Sequence, residues 1–329
     1  MQQLKLLCAR LSPDLTEPGG LAAFQRCLTT HDPLGEIRRN NNIGDVAADR
    51  PNAAPPAGLG GNSRRLVAEG VERFRQIEGG SLYVIDQAAN LWRQTGGAEG
   101  KRLYEGVADF SVVDGQLFVQ GTDGTLWRAK LDGSERTKID GTVAAFQPIN
   151  AGLIYVLGTD GRLWRENGDF THRVEVDRAV RDFQAIDAVQ VLVLGVDQQL
   201  WREAGAAPAR TLVASETVAF QYIPNGDTTH VLTSNGVLWR KVGNEAPQKV
   251  DEAVAAFRAV DARLVYVLGR DGRLWREAGG RDQAVLVDRD VLVTSGKGAL
   301  QVLDPDHLLI LDAQHKLWAE TMAEKEATR

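Results

Sequence analysis

The chain has 329 residues, 43% of them apolar and 25% charged, with a formal charge of −6, the composition of a soluble globular protein long enough for a buried core. The negative balance argues against nucleic acid or an anionic membrane surface as the main partner, and no apolar run reaches the roughly 18 residues of a membrane-spanning segment. No CxxC, HExxH or phosphate-cradling glycine loop occurs, and the two cysteines, Cys8 and Cys27, cannot frame the bulk of the chain with disulfides; no cofactor and no metal are expected.

The start, MQQLKLLCARLSPD, holds too short an apolar stretch for a signal peptide. The expected compartment is the cytoplasm, with leaderless release as the exception. Residues 1–62 hold six of the eleven prolines, both cysteines, and no Trp or Tyr. Leu4, Leu7, Cys8 and Leu11 have the spacing of a short amphipathic helix. Leu21, Phe24 and Leu28 suggest a second, with Thr16 as its cap ahead of Pro18. Asn40–Gly61, rich in Asn, Pro, Ala and Gly, reads as a linker. This extension either covers its own domain or is a docking arm with apolar stripes for a partner.

From residue 63 the chain repeats itself. VLGTDGRLWRE at 156–166 returns as VLGRDGRLWRE at 267–277. All seven tryptophans follow a leucine: Trp92, Trp127, Trp164, Trp201, Trp239, Trp275 and Trp318, spaced by 35, 37, 37, 38, 36 and 43 residues. Arginine follows six of them (Arg93, Arg128, Arg165, Arg202, Arg240, Arg276), and Ala319 breaks the run. An aromatic landmark stands 17 to 19 residues before each Trp: Phe74, Phe110, Phe146, Phe183, Phe220 and Phe257, with Leu300 in the last copy.

One unit, residues 140–177, predicts four strands: Val143–Phe146, then LIYVLG, RLWRE and RVEV. Asp-Gly or Asn-Gly between the second and third strands is a hairpin signal, expected as a type I′ turn with φ > 0 at both central residues. The pairing is then antiparallel. LIYVLG is apolar on consecutive residues, so both faces of that strand must be covered. Small antiparallel sheets covered on both faces, seven times over, predict an all-β, seven-bladed β-propeller of four-stranded antiparallel blades, preceded by a short, partly helical extension. The Trp and Phe landmarks are expected in its core.

The last copy runs into AETMAEKEATR, which lacks a fourth strand, while SRRLVAEGVERF (63–74) aligns with the end of an ordinary unit. Arg65–Ala68 is therefore expected to supply the outer strand of blade seven and remove an exposed edge. The organisation reads as an extension at 1–62, a propeller at 63–320 closed by residues 63–68, and a polar tail at 321–329.

In a propeller the second-to-third turns and the fourth-to-first crossings share one face. That face collects Asp123, Asp160, Asp197, Asn235 and Asp271 from the turns, and Asp140, Asp177, Asp251 and Asp288 from the crossings. The opposite face collects Glu78, Asp114, Asn150, Asp187, Asp261 and Asp304. Such rings serve either local turn chemistry or a cation, sugar or basic partner. The arginines after Trp either pair with turn acids or with Glu166, Glu203 and Glu277, or reach a groove between blades. The turn residues and these arginines are the candidate ligand-binding positions. The five histidines fall at unrelated places in the unit, and no nucleophile–base pairing stands out. No catalytic residue is assigned, and an enzyme is not expected.

The G-x-D-G-x-L-W-R motif with V-x-x-F upstream resembles the tectonin and tachylectin-like propeller repeats, over residues 63–320. The resemblance implies the fold and a recognition role. It carries over no sugar-binding residue, because Trp follows the turn throughout and the Trp-rich extra strand of tectonins is missing. The expected function is a non-catalytic recognition module, lectin-like, binding carbohydrate or another repetitive surface through inter-blade or face sites with gain from avidity. The alternative is a structural or adaptor subunit of a larger assembly with a protein partner, anchored through residues 1–62. The copies that depart from the rule are blade one (Ala88-Ala89 for Asp-Gly), blade four (Gln198 for Gly) and blade seven (Ala319 for Arg). A specific partner would choose among such breaks.

Overall fold

The computed structural model describes residues 63–322, apart from 78–79, 96–99, 168–171, 205–209, 281–283, 290, 292–299 and 305–306. The helices expected within 1–62, the two cysteines and Glu78 lie outside the described residues.

The described residues form seven four-stranded antiparallel sheets. Sheet three shows the plan: Val143–Asn150, Leu153–Gly158, Leu163–Asn167 and His172–Asp177, each pairing with the next in sequence. First strands of neighbouring sheets touch one another, so they surround the axis of a seven-bladed propeller. Sheet seven takes Leu300–Asp304, His307–Leu311 and Leu317–Thr321 from the end of the chain and Ser63–Ala68 from the far side of the sequence. Arg64 pairs there with Glu320 and Leu66 with Trp318.

Consecutive apolar residues are needed because each sheet is a wall between two others. In sheet three Tyr155 and Leu157 pack on Val180, Phe183, Val191 and Val193 of sheet four. Ile154 and Val156, pointing the other way, pack on Phe118 and Leu126 of sheet two. The leucine before each Trp is buried as well; Leu163 is 0% exposed. Of the phenylalanines, Phe74, Phe110, Phe183 and Phe220 are buried, whereas Phe146 and Phe257 are half-buried against the same clusters.

The tryptophans are less enclosed than their regularity suggested. Trp318 is buried, but Trp92, Trp127, Trp164, Trp201, Trp239 and Trp275 are half-buried. The third strand lies towards the rim, where sheets diverge, so an indole there keeps one flank near solvent.

Backbone and amide bonds tie each sheet to the next. Val143 N–H donates to Gly124 O at 2.8 Å, joining the turn of sheet two to the crossing into sheet three, and Thr159 N–H donates to Thr142 O at 2.9 Å, holding the turn of sheet three to that same crossing. The same bond closes the ring where Val71 N–H donates to His315 O at 2.9 Å. Nearer the axis, the Gln184 amide donates to Tyr222 O at 3.0 Å and accepts from Tyr222 N–H at 2.8 Å. Gln147, Gln221 and Gln301 bridge to Ala185, Ala259 and Gln76 in the same two-way manner.

The hairpin turn is not type I′. Gly158 N–H donates to Arg162 O and Gly161 N–H to Gly158 O, which leaves a three-residue loop. Only its last residue is left-handed, Gly161 at φ 78°. This is the common three-residue hairpin ending in an αL position. It explains why Ala89, Gln198 and His315, at φ 61°, 65° and 60°, can replace that glycine in sheets one, four and seven: one strained position is tolerable where two would not be.

Candidate functional site

The turn acids work on their own loops. Asp123, Asp160, Asp197 and Asp271 each accept through Oδ1 from the backbone N–H two residues on, at 2.8–3.1 Å. Asn235 does the same for Val237 at 3.2 Å. All five are exposed, and the Thr125 N–H holds the Asp123 carboxyl below the usual carboxylate range. On the opposite face Asp187 and Asp261 likewise bind N–H groups of their own loops. These bonds are the local turn chemistry of Asp and Asn.

A glycine six residues before Trp makes room for this. A Cβ on Gly158 would stand 2.6 Å from Asp160 Oδ1, and Gly121, Gly195 and Gly269 are as tight against their own Asp. Sheets one and seven solve the turn differently, with Asp at that same position. Asp86 and Asp312 bind the loop N–H groups directly and use the second oxygen to accept from the indole N–H of Trp92 and Trp318, both at 2.7 Å. We expect Gly158→Ala to cost about 1–3 kcal/mol, the range of a forced steric conflict. In an Asp160→Ser background the cost should shrink. Equal costs in both backgrounds, read from denaturant midpoints, would remove the proposed conflict.

The arginines after Trp reach across to the next sheet. Arg128 donates to Ala151 O at 3.0 Å, Arg165 to Ala188 O at 2.9 Å and Arg240 to Ala262 O at 3.3 Å. Each acceptor lies in the loop between first and second strands of the following sheet. Arg202 uses the same loop but meets Asp227 at 2.8 Å, and Arg93 bonds Leu131 O at 3.4 Å. Arg276 makes no such bond among the described residues. Pairing with the neighbouring glutamate is thus not what these side chains do: Arg165 caps a carbonyl and Arg202 meets a turn acid, Asp227, because both leave the strand towards the face opposite the turns.

Across from Glu166 and Glu203, and from Glu320 of sheet seven, an arginine stands on the outer strand, at positions not singled out from the sequence. Arg173 lies opposite Glu166 in register, Arg210 opposite Glu203 and Arg64 opposite Glu320. Each guanidinium lies 4.3 Å from the ring centre of the indole in its own sheet, Trp164, Trp201 and Trp318. Two of the three also face an Asp ending the previous sheet's outer strand. Arg173 is 3.6 Å from Asp140, and Arg64 is 3.1 Å from Asp288 and 3.6 Å from Glu320. In sheet two Arg136 stacks at 3.8 Å on Trp127 without the glutamate, since Ala129 takes its place. A signal was present: Arg136, Arg173 and Arg210 all stand nine residues after a Trp.

Arg64 is buried with both of its carboxylates, whereas Arg173 stays exposed above the buried Glu166. Burial, with Asp140 beside it, pushes Glu166 up to about 7. Burial and the neighbouring Asp177 and Asp288 raise Glu203 and Glu320 in the same direction. His230 occupies the core position that Tyr155 and Tyr266 hold in sheets three and six; burial, then Arg240, lowers it to about 4, so it stays neutral.

The grooves on the turn face include two between neighbouring sheets. One, about 470 Å³, lies between sheets five and six, with Asp251, Asp271, Trp275, Glu277 and Ala284 in its walls. The other, about 270 Å³, lies between sheets one and two beside Tyr104, Asp123, Trp127 and Arg136. Both are junctions where the Arg–Asp–Glu set is incomplete. Among the described residues no group of three metal-binding side chains occurs, and no helix is long and apolar enough to cross a membrane.

No protein-family model and no curated protein sequence matches the chain. Solved structures do. YCF48 bound to D1 peptide superposes with a TM-score of 0.58 at 12% identity, over 80% of this chain and 97% of that one. YCF48 from Cyanidioschyzon merolae gives 0.59 at 12%, over 80% and 99%. BBS1N in complex with ARL6DN gives 0.58 at 12%, over 79% and 94%. At such identities the likeness is one of fold, and the chain shares with these proteins a β-propeller.

Proposed function

We propose that the chain is a non-catalytic binding platform whose partner is a protein. The observation that supports this reading is the use already made of the repeated polar groups. The turn acids bind their own loops, Arg128, Arg165 and Arg240 cap carbonyls of the next sheet, and Arg202 meets Asp227 there. What is left for a partner is unequal from junction to junction, which suits one asymmetric protein surface better than many identical weak sites. Two of the similar propellers carry protein partners, a D1 peptide and ARL6DN.

The lectin-like reading keeps one observation in its favour: half-buried indoles beside acids, as in the groove at Trp275. Against it, the indoles of Trp127, Trp164, Trp201 and Trp318 are already covered by arginine. A glycan array and cross-linking pull-downs with the full chain separate the readings. Saturable capture of a defined protein with a blank array is expected. Glycan binding without protein capture would reverse the choice. A partner lost on deleting residues 1–60 would move the contact to the extension and favour the adaptor role.

A further inference from the structure

Four junctions carry an Asp at the end of one outer strand and a Glu on the next sheet's third strand: Asp140 with Glu166, Asp177 with Glu203, Asp251 with Glu277 and Asp288 with Glu320. In three of them the outer strand places an arginine opposite the Glu, stacked on the indole. The fourth departs. Pairing of Trp275 with Leu286 and of Arg276 with Val285 carries Ala284 to the place opposite Glu277. A methyl group stands where the sister junctions have a guanidinium, and the groove there is the larger of the two, about 470 Å³. That volume lies within the range of ligand pockets, ~300–1,000 Å³.

The remaining walls are those that hold arginine elsewhere in the same ring. Trp275 is half-buried, Asp251 is 8% exposed and Glu277 is 1% exposed. A planar guanidinium suits them better than an ammonium, because it stacks on the indole face and presents paired N–H donors to two carboxylates. We propose that the groove between sheets five and six binds an arginine side chain presented by a partner protein, placed as Arg173, Arg210 and Arg64 are placed in the sister junctions. This deepens the protein-platform reading and rests on it. Asp251 and Glu277 already have partners within the chain, so the incoming group joins or displaces these rather than meeting bare charges. Arg281, outside the described residues, is three positions before Ala284 in sequence and is the rival source of a guanidinium.

The full chain is titrated with a capped Gly-Arg-Gly peptide and with its citrulline and lysine analogues, following heat and the indole N–H resonance of Trp275. Binding of the arginine peptide is expected, weakened at least tenfold by citrulline, which keeps the shape without the charge. Ala284→Arg should rebuild the sister arrangement and abolish binding, with the melting temperature maintained or raised. Ala284→Leu, which fills the space without charge, is a second block should the arginine variant fold poorly. Equal binding of the citrulline peptide, or unchanged binding by both folded variants, overturns the site. So does binding that emerges only in Arg281→Ala, which would assign the groove to the chain's own arginine. A protein partner captured equally by wild type and Ala284→Arg defeats this site alone; a wild type that captures no protein defeats the platform reading, whatever the peptide does.

Discussion

Arg64→Ala is expected to destabilise the propeller by about 3–5 kcal/mol, the cost of removing one partner from a buried ionic set. The Arg64 side chain is 5% exposed, and its neighbours Asp288 and Glu320 are 7% and 0% exposed. Truncation would leave two carboxylates out of water without their cation and strip the cover from Trp318. The position matters doubly, since Arg64 lies on the strand that closes sheet seven. Opening should then begin at this seam, seen as faster amide exchange along 63–68 and 317–321. Arg65→Ala, on the exposed side of the same strand, should stay within about 0.5 kcal/mol. Similar denaturant midpoints for the two variants would mean that the strand closes the ring without help from the ionic set.

The second large effect is on pH dependence. Glu166 is raised to about 7, and Glu203 and Glu320 are raised in the same direction. A carboxyl whose folded pKa exceeds its unfolded value binds protons more readily when folded. Its contribution is therefore whole below the unfolded pKa and disappears as pH rises through the folded one. For Glu166 that window runs from the ordinary carboxylate range to about 7, and the shift corresponds to roughly 3 kcal/mol against the ionised form. The chain should melt higher at pH 5.5 than at pH 8.5. Glu166→Gln, Glu203→Gln and Glu320→Gln, singly and together, should raise stability at pH 8.5, change it little at pH 5.5 and flatten the profile. A triple variant with the wild-type slope would locate the proton uptake elsewhere.

Such buried acid pairs limit stability near neutral pH unless they serve something. In three junctions they orient an arginine on an indole and lock neighbouring sheets in register. At Ala284 the acids stay and the strand's arginine is gone, the departure on which a selective site can be built. The departures anticipated in blades one, four and seven concern a turn residue and one arginine instead. They cost little structurally, because a single αL position accepts Ala89, Gln198 or His315.

The order along the chain determined the blade number, the antiparallel pairing, the doubly covered second strand and the use of residues 63–68 as an outer strand. These were legible because each sheet must present nearly the same two faces to its neighbours, so the constraint is rewritten every 37 residues or so. Tertiary structure alone decided which acid meets which arginine. It placed Arg173 beside Asp140 of the preceding unit and sent Arg165 to a carbonyl of the following one. It also left the indoles half-covered towards the rim, admitted His230 to a core position, and turned the expected I′ hairpins into three-residue loops. Each of these depends on how far apart adjacent sheets stand and at what angle they diverge. A repeat records what every junction needs in common, whereas distance and divergence belong to pairs of units.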